Sequence, residues 1–247
     1  MLLRDGVDGL EVFMVVRHDA LAFAAGALVF PGGSVDATDH ALVASLGEAG
    51  TDAARVAAVR ETFEECGILL ARPRDADTLV GATALERLGV NWRRRIASGQ
   101  TTLEQMLHAE GLVLAIDQLV HFAHWITPEA QAKRFDTHFF LAASPEGQLG
   151  AHDGEESVQS LWINPTRAVA AAECGHYKLV FATQLNLLKL ARYATVEAAL
   201  TAARAITVVT VLPVQEDATT AGTRHMRIPR AADYGGEHFV IKVSPPG

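Results

Sequence analysis

The chain is short of cysteine, of long apolar runs and of basic residues, and each shortage removes a class of protein. Its 247 residues include two cysteines, Cys66 and Cys174. Two are too few for a disulfide framework, so a reducing cytoplasm is the expected compartment. No stretch reaches the ~20 uninterrupted apolar residues that span a bilayer. The longest aliphatic region, near Ala20 to Phe30, contains glycine and ends in Pro31-Gly32-Gly33. The amino-terminal Met1-Leu2-Leu3-Arg4-Asp5-Gly6 lacks a secretory apolar core, and the carboxyl-terminal Ser244-Pro245-Pro246-Gly247 is not a Ser-Lys-Leu address. A net charge of -8 argues against nucleic acid as a partner, because phosphate backbones are bound by a basic footprint. An anionic substrate must instead meet local positive charge or a metal. Internal repeats and low-complexity tracts are absent.

What is present is enough apolar material for a large core. With 49% hydrophobic residues, residues 1–247 are expected to form one domain. Short β-branched or aromatic runs bounded by turn residues predict strands at Leu10 to Val16, Ala27 to Phe30, Leu119 to Ile126, Phe135 to Ala142 and Ser157 to Ile163. Helices are expected at Ala41 to Leu46, Asp52 to Cys66, Leu103 to Ala109, Pro165 to Ala172, Leu179 to Ala191 and Val196 to Ala205. Strand-like runs follow at Val208 to Val214 and Glu237 to Val243, separated by a polar loop, Gln215 to Gly222. The implied class is α/β, a mixed sheet sandwiched between helices. Residues 72–116 read as a helical insertion: a loop at Arg72 to Asp77, then helices over Leu85 to Ile96 and Leu103 to Leu114.

The chemistry concentrates in Arg60-Glu61-Thr62-Phe63-Glu64-Glu65-Cys66-Gly67. Glutamates three and four residues apart lie side by side on a helix, and like charges so close disfavour one another's ionisation unless a cation neutralises them. Hard divalent cations, Mg²⁺ or Mn²⁺, take such oxygen ligands. At about 100° per residue, Val56, Val59, Phe63 and Cys66 form one stripe and Glu61, Glu64 and Glu65 centre almost opposite it. Thr51 or Asp52 can cap the helix start, and Gly67 can close it in the left-handed conformation. Arg60 is placed to pair with a carboxylate and fix its rotamer.

Phe30-Pro31-Gly32-Gly33 followed by Arg60 to Ile68 resembles the Nudix box: Gly, five residues, Glu, seven residues, then Arg-Glu-x-x-Glu-Glu-x-Gly. Here Asp39 stands where that pattern has its first Glu, and the stretch from His40 to Val59 is longer than usual. The expanded box, with Asn91 to Arg95, His124 to Pro128 and Arg134 to Leu141, is similar to the peroxisomal CoA and acyl-CoA diphosphatase branch and its bacterial relatives. The resemblance implies a Nudix fold and a metal-dependent hydrolase that cleaves CoA or acyl-CoA to 3′,5′-ADP and a 4′-phosphopantetheine product. Two other readings stay open: a Nudix pyrophosphatase acting on ADP-ribose or another nucleoside diphosphate derivative, and a Nudix-fold module that senses a nucleotide without turnover.

The resemblance also implies site roles. Glu61, Glu64 and Glu65 are expected as metal ligands and, with Arg60, as catalytic residues. Glu156, or its neighbour Glu155, is the candidate base on a separate loop. Gly32 and Gly33 let backbone approach a diphosphate closely; Asp36 and Asp39 are candidates for outer-sphere contacts. From the residues alone, Lys133, Arg134 and Phe135 read either as a strand edge with an aromatic in the core or as groups that bind phosphate and stack adenine. Arg93, Arg94 and Arg95 read as a solvated helix face, with phosphate binding as the alternative. His121 and His124, three apart on a strand, are expected on opposite faces, which argues against a zinc pair. A homodimer is the expected assembly, since symmetric pairs dominate soluble oligomers.

Overall fold

The computed structural model describes residues 1–18, 24–47, 50–131, 133–152, 154, 157–216 and 222–242. In chain order its elements are β1 (Leu2–Gly6), β2 (Gly9–Arg17), β3 (Leu28–Val29), α1 (Ala37–Leu46) and α2 (Ala53–Cys66). Next come β4 (Ala71–Pro73), α3 (Ala82–Leu88), a wide turn at Gly89–Arg93, α4 (Arg94–Ala97), α5 (Leu103–Glu110) and β5 (Leu112–Leu114). The remainder is β6 (Val120–Ile126), β7 (Asp136–Ala143), β8 (Ser157–Ile163), α6 (Pro165–Glu173), α7 (Phe181–Leu190), α8 (Val196–Ala205), β9 (Thr210–Val211), β10 (Val214–Glu216), β11 (Thr223–Arg227) and β12 (His238–Lys242).

A mixed sheet runs in the order β3-β2-β1-β7-β6-β9, with β8 also paired to β2. The β1–β2, β2–β8 and β6–β7 pairs are antiparallel, whereas β1–β7 and β6–β9 are parallel. Both faces are covered, as the unbroken apolar run Val12 to Val16 of β2 requires. Phe13 and Val15 join a core with Val56, Val59, Phe63 and Cys66 of α2. Leu10, Val12 and Met14 point the other way, into a core shared with Ala168, Leu185, Leu190 and Ala199 of α6, α7 and α8. The sheet is therefore sandwiched between helices. No helix among the described residues is long and apolar enough to cross a membrane.

Several boundaries differ from the sequence expectations, each for a local reason. Helix α1 begins at Ala37 instead of Ala41, because Asp36 and Asp39 form a reciprocal capping box. The helix expected over Leu103 to Leu114 stops at Glu110: Gly111 takes φ 63°, and Leu112–Leu114 pairs with Ala71–Pro73. The expected loop at Arg72 to Asp77 accordingly starts inside strand β4. The run Val208 to Val214 divides at Pro213, which has no N–H for a ladder, so β9 pairs with β6 while β10 pairs with β11. Gln215 and Glu216, expected in a loop, belong to β10.

The largest departure is on β6. His121 pairs with Phe140 and His124 with His138, but the register shifts between His121 and Ala123. This β-bulge spends one extra residue, Phe122, so the alternation slips by one. His121 and His124 consequently share a face, against the expectation that they oppose. Both lie beside His138, the His124 ring stacked on it at 4.1 Å between centroids and the His121 ring tilted to it at 5.1 Å.

Phe63 is fully buried at the centre of the α2 side of the core. Phe63→Ala is expected to lower stability by roughly 3–5 kcal/mol through lost transfer energy and a residual cavity. A urea titration would show this as a lower midpoint at an unchanged slope.

Candidate active site

The loop after β3, helix α1 and helix α2 converge on one guanidinium. Asp36 caps α1, its Oδ1 accepting from the Thr38 and Asp39 N–H groups at 2.7 and 3.1 Å. Asp39 returns the bond by accepting from the Asp36 N–H at 2.9 Å. The same Asp39 carboxylate, 1% exposed, receives Arg60 Nε and Nη2 at 2.9 and 2.8 Å. This bidentate pair fixes both partners in plane. Arg60 then donates to the Ser34 carbonyl at 2.8 Å, to Glu61 Oε1 at 3.0 Å and to both Glu64 carboxylate oxygens at 3.4 Å.

Arg60 thus ties the loop, α1 and two of the box glutamates together. Burial opposes its charge, but the Asp39 hydrogen bonds and the fields of Glu61, Asp39 and Glu64 outweigh that and hold its pKa above the ordinary arginine value. Burial pushes the Glu64 carboxyl up, and Arg60 only partly draws it back because Asp36 and Asp39 add repulsion. Asp39, Glu61 and Glu64 together bring three negative charges to one positive one. A divalent cation would offset such an imbalance.

The glycines of the loop have separate tasks. Gly32 donates its N–H to Glu65 Oε2 at 3.0 Å and takes φ 149°, which disfavours any side chain. At Gly33 a β-carbon would overlap the Glu61 carboxylate. The Pro-Gly-Gly loop therefore lies directly against Glu61 and Glu65, which sequence spacing alone could not establish.

The far end of α2 is held from two sides. Gly67, at φ 65°, returns its N–H to Phe63 and Thr62 carbonyls. Arg93 donates to the Glu64 and Glu65 carbonyls at 2.8 and 2.7 Å, and to Ala151 at 3.0 Å. Arg93 is therefore neither a solvated face nor shown gripping phosphate; it satisfies helix-terminal carbonyls that would otherwise lack partners. Arg94 and Arg95 are exposed, and Arg95 lies over the Trp92 ring at 5.1 Å. Ala151 also donates its N–H to Cys66 at 2.9 Å, so the loop that leads toward residues 155–156 leaves from beside the last glutamate.

The structure places the other expected site residues as follows. Glu65 is 5% exposed, and Glu61 and Glu64 share Arg60 beneath the loop. Asp39 serves as the buried partner of Arg60, and Asp36 as a helix cap; no outer-sphere role is needed to explain either. Nor do the three glutamates form a compact donor set in this conformation. Among the described residues, the trio of metal-type ligand atoms within 4.8 Å of one another is His124, Asp136 and His138. Glu155 and Glu156 lie outside the described residues. Arg134 and Phe135 sit on the turn between β6 and β7, held to Thr127 by bonds of 3.0 and 3.1 Å, on a different element from the glutamates.

Comparison with known proteins gives the family and the fold. The sequence pattern described as the NUDT19 Nudix domain matches residues 47–180. The acyl-coenzyme A diphosphatase NUDT19 of Xenopus laevis is 26% identical over 204 residues, covering 64% of this chain and 54% of that protein. Its Gallus gallus counterpart is 33% identical over 134 residues, 49% of this chain and 35% of that protein. The chain thus spans between a third and about half of the length of these relatives. The crystal structure of a NUDIX hydrolase from Alicyclobacillus acidocaldarius superposes with a TM-score of 0.65 at 27% identity, covering 81% of this chain and 92% of that one.

Asp39→Asn removes the bidentate partner of Arg60 and leaves it with Glu61 and Glu64, so it is expected to lower stability by roughly 1–3 kcal/mol, while Asp39→Glu, which keeps the charge, loses less. Equal urea midpoints for Asn and Glu variants would mean that the pair does not anchor the loop.

Proposed function

The chain belongs to the NUDT19 Nudix domain family of the Nudix hydrolases, and on that premise we propose that it hydrolyses the diphosphate of CoA or an acyl-CoA, yielding 3′,5′-ADP and a 4′-phosphopantetheine product. The observation that carries the reading is the union of Pro-Gly-Gly loop and acidic helix: Gly32 bonded to Glu65, Gly33 against Glu61, and Arg60 between Glu61 and Glu64. The named activity of the vertebrate relatives supports the choice of substrate.

Glu61, Glu64 and Glu65 would hold Mg²⁺ or Mn²⁺, for which an all-oxygen, net negative set is the fitting chemistry. When bound, such a cation neutralises diphosphate charge and lowers the pKa of a coordinated water. The chain's own residues orient the rest. Arg60 is a positioning residue, fixing the Glu61 and Glu64 carboxylates. Gly32 fixes Glu65, and the absence of a side chain at Gly33 leaves room for both Glu61 and an approaching phosphate. Glu156 or Glu155 would accept a proton from the attacking water, a role supported by the anchoring of the preceding Ala151 beside Cys66. Arg134 would contact phosphate and Phe135 would stack on adenine. We read residues 72–116 as an insertion within one Nudix domain, whose Arg93 closes the end of the catalytic helix.

Turnover with Mg²⁺ or Mn²⁺ should appear for CoA or acyl-CoA and exceed that for ADP-ribose and NADH, with 3′,5′-ADP among the products. Preferred cleavage of ADP-ribose would replace the substrate assignment and keep the hydrolase. No turnover of any diphosphate would favour the sensing module.

Glu64→Gln and Glu65→Gln are each expected to reduce kcat/KM by about a hundredfold or more, the scale lost with a metal-held charge in the transition state. Gly33→Ala should produce a comparable loss, because the added methyl group displaces Glu61. Full activity in the Glu64/Glu65 double variant would remove both residues from the mechanism.

A further inference from the structure

A second group of ligand-type side chains lies on the β6–β7 hairpin, on the sheet face that carries α2. The bulge at Phe122 and the cross-strand register bring His121, His124, Asp136 and His138 to that face. The His124 and His138 rings stack within 6° of parallel at 4.1 Å, and Asp136 Oδ1 stands 2.5 Å from His124 Nε2 and 4.0 Å from His138 Nε2. The donor atoms of His124, Asp136 and His138 all lie within 4.8 Å of one another.

The remaining ring nitrogens already have partners. His124 Nδ1 lies 2.8 Å from Thr210 Oγ1 on β9, and His138 Nδ1 lies 3.1 Å from His121 Nε2. Such outer partners orient metal-binding imidazoles and select the tautomer whose other nitrogen carries the lone pair. In the tautomer with Nε2–H, His124 donates to Asp136; with Nδ1–H on both rings, two nitrogen lone pairs and a carboxylate oxygen face one volume. That arrangement is repulsive unless a positive charge sits among them. Two ligands bound at about 2.1 Å with tetrahedral angles are roughly 3.4 Å apart, between the 2.5 and 4.0 Å seen here. Small side-chain rotations therefore reach coordination geometry.

We propose that His124, Asp136 and His138 form a site for a borderline divalent transition metal of the Zn²⁺ class, separate from the glutamate site, with His121 and Thr210 orienting the two imidazoles. Imidazole nitrogen suits such ions, whereas Mg²⁺ prefers oxygen alone. Three protein ligands leave a fourth position for water or an anion. Asp136 is 63% exposed, so an ion can enter from solvent. Once bound, it ties the hairpin to β9 through Thr210. The neighbouring charges Asp52 and Arg55 belong to the start of α2, about 14 and 9 Å of helix rise from Glu61 respectively, so the two sites answer to different variants.

The test is Zn²⁺ titration by calorimetry in excess Mg²⁺, with the whole chain. The wild type should bind one equivalent that an Asp136→Ala, His138→Gln double variant binds at least tenfold more weakly, while Glu64→Gln binds it unchanged. Zn²⁺ should raise the melting temperature of the wild type and not of the double variant. Equal binding by wild type and double variant overturns the proposal, as does the absence of Zn²⁺ binding by the wild type. Imidazole ¹⁵N spectra of the wild type keep the question open to refutation if the double variant folds poorly. Zn²⁺ should shift the Nε2 signals of His124 and His138. Unmoved signals would mean that His124 Nε2–H donates to Asp136 with no ion needed, and the site would be withdrawn.

Discussion

The bidentate pair between Asp39 and Arg60 is the constraint on which the site depends. Two buried charges are costly apart and acceptable together, so wherever Arg60 goes on α2, Asp39 must follow on α1. That coupling brings the Ser34 carbonyl, the α1 cap and the Pro-Gly-Gly loop onto the glutamate face of α2. The remaining donor of Arg60 then orders Glu61 and Glu64. A surface salt bridge of the same geometry would be too weak to organise three segments; burial is what gives this one its directing power.

Helix α2 is used on every side. Val56, Val59, Phe63 and Cys66 are almost fully buried and join it to the sheet. The opposite side presents carboxylates under the loop. Its carboxyl-terminal end is closed by Gly67 and by Arg93, which reaches back from beyond α3. Residues 72–116 therefore contribute to the site through the Arg93 side chain, which binds backbone carbonyls of α2. The same Arg93 holds Ala151, so one guanidinium aligns the helix end with the loop that precedes Glu155 and Glu156.

Local chemistry made much of this legible in the chain itself. The α2 limits follow from Asp52 and Gly67, which cap by hydrogen bond and by left-handed backbone. Strand β8 and helix α8 match their expected limits because their patterns end at clear turn or cap residues. Errors arose where a distant partner overruled a local preference. Leu112–Leu114 has the composition of a helix end, yet its edge was claimed by Ala71–Pro73. His121 and His124 obeyed strict alternation only on paper, because a bulge cannot be read from one strand without its partner. Arg93 looked like part of a solvated basic run, since no spacing rule links it to carbonyls 28 and 29 residues away.

The amino-acid sequence by itself determined the chemical inventory: an acidic triplet on one helical face, an apolar stripe opposite it, a Pro-Gly-Gly turn upstream, and enough apolar residues for a two-sided core. Those are properties of residue type and short spacing, set by helical and strand periodicity. Only the tertiary structure decided which carboxylate would partner Arg60, that Glu65 would be buried, and that four residues of one hairpin would meet on one face. Each of these depends on contacts between segments far apart in the chain, where burial turns a weak pairing into an obligatory one.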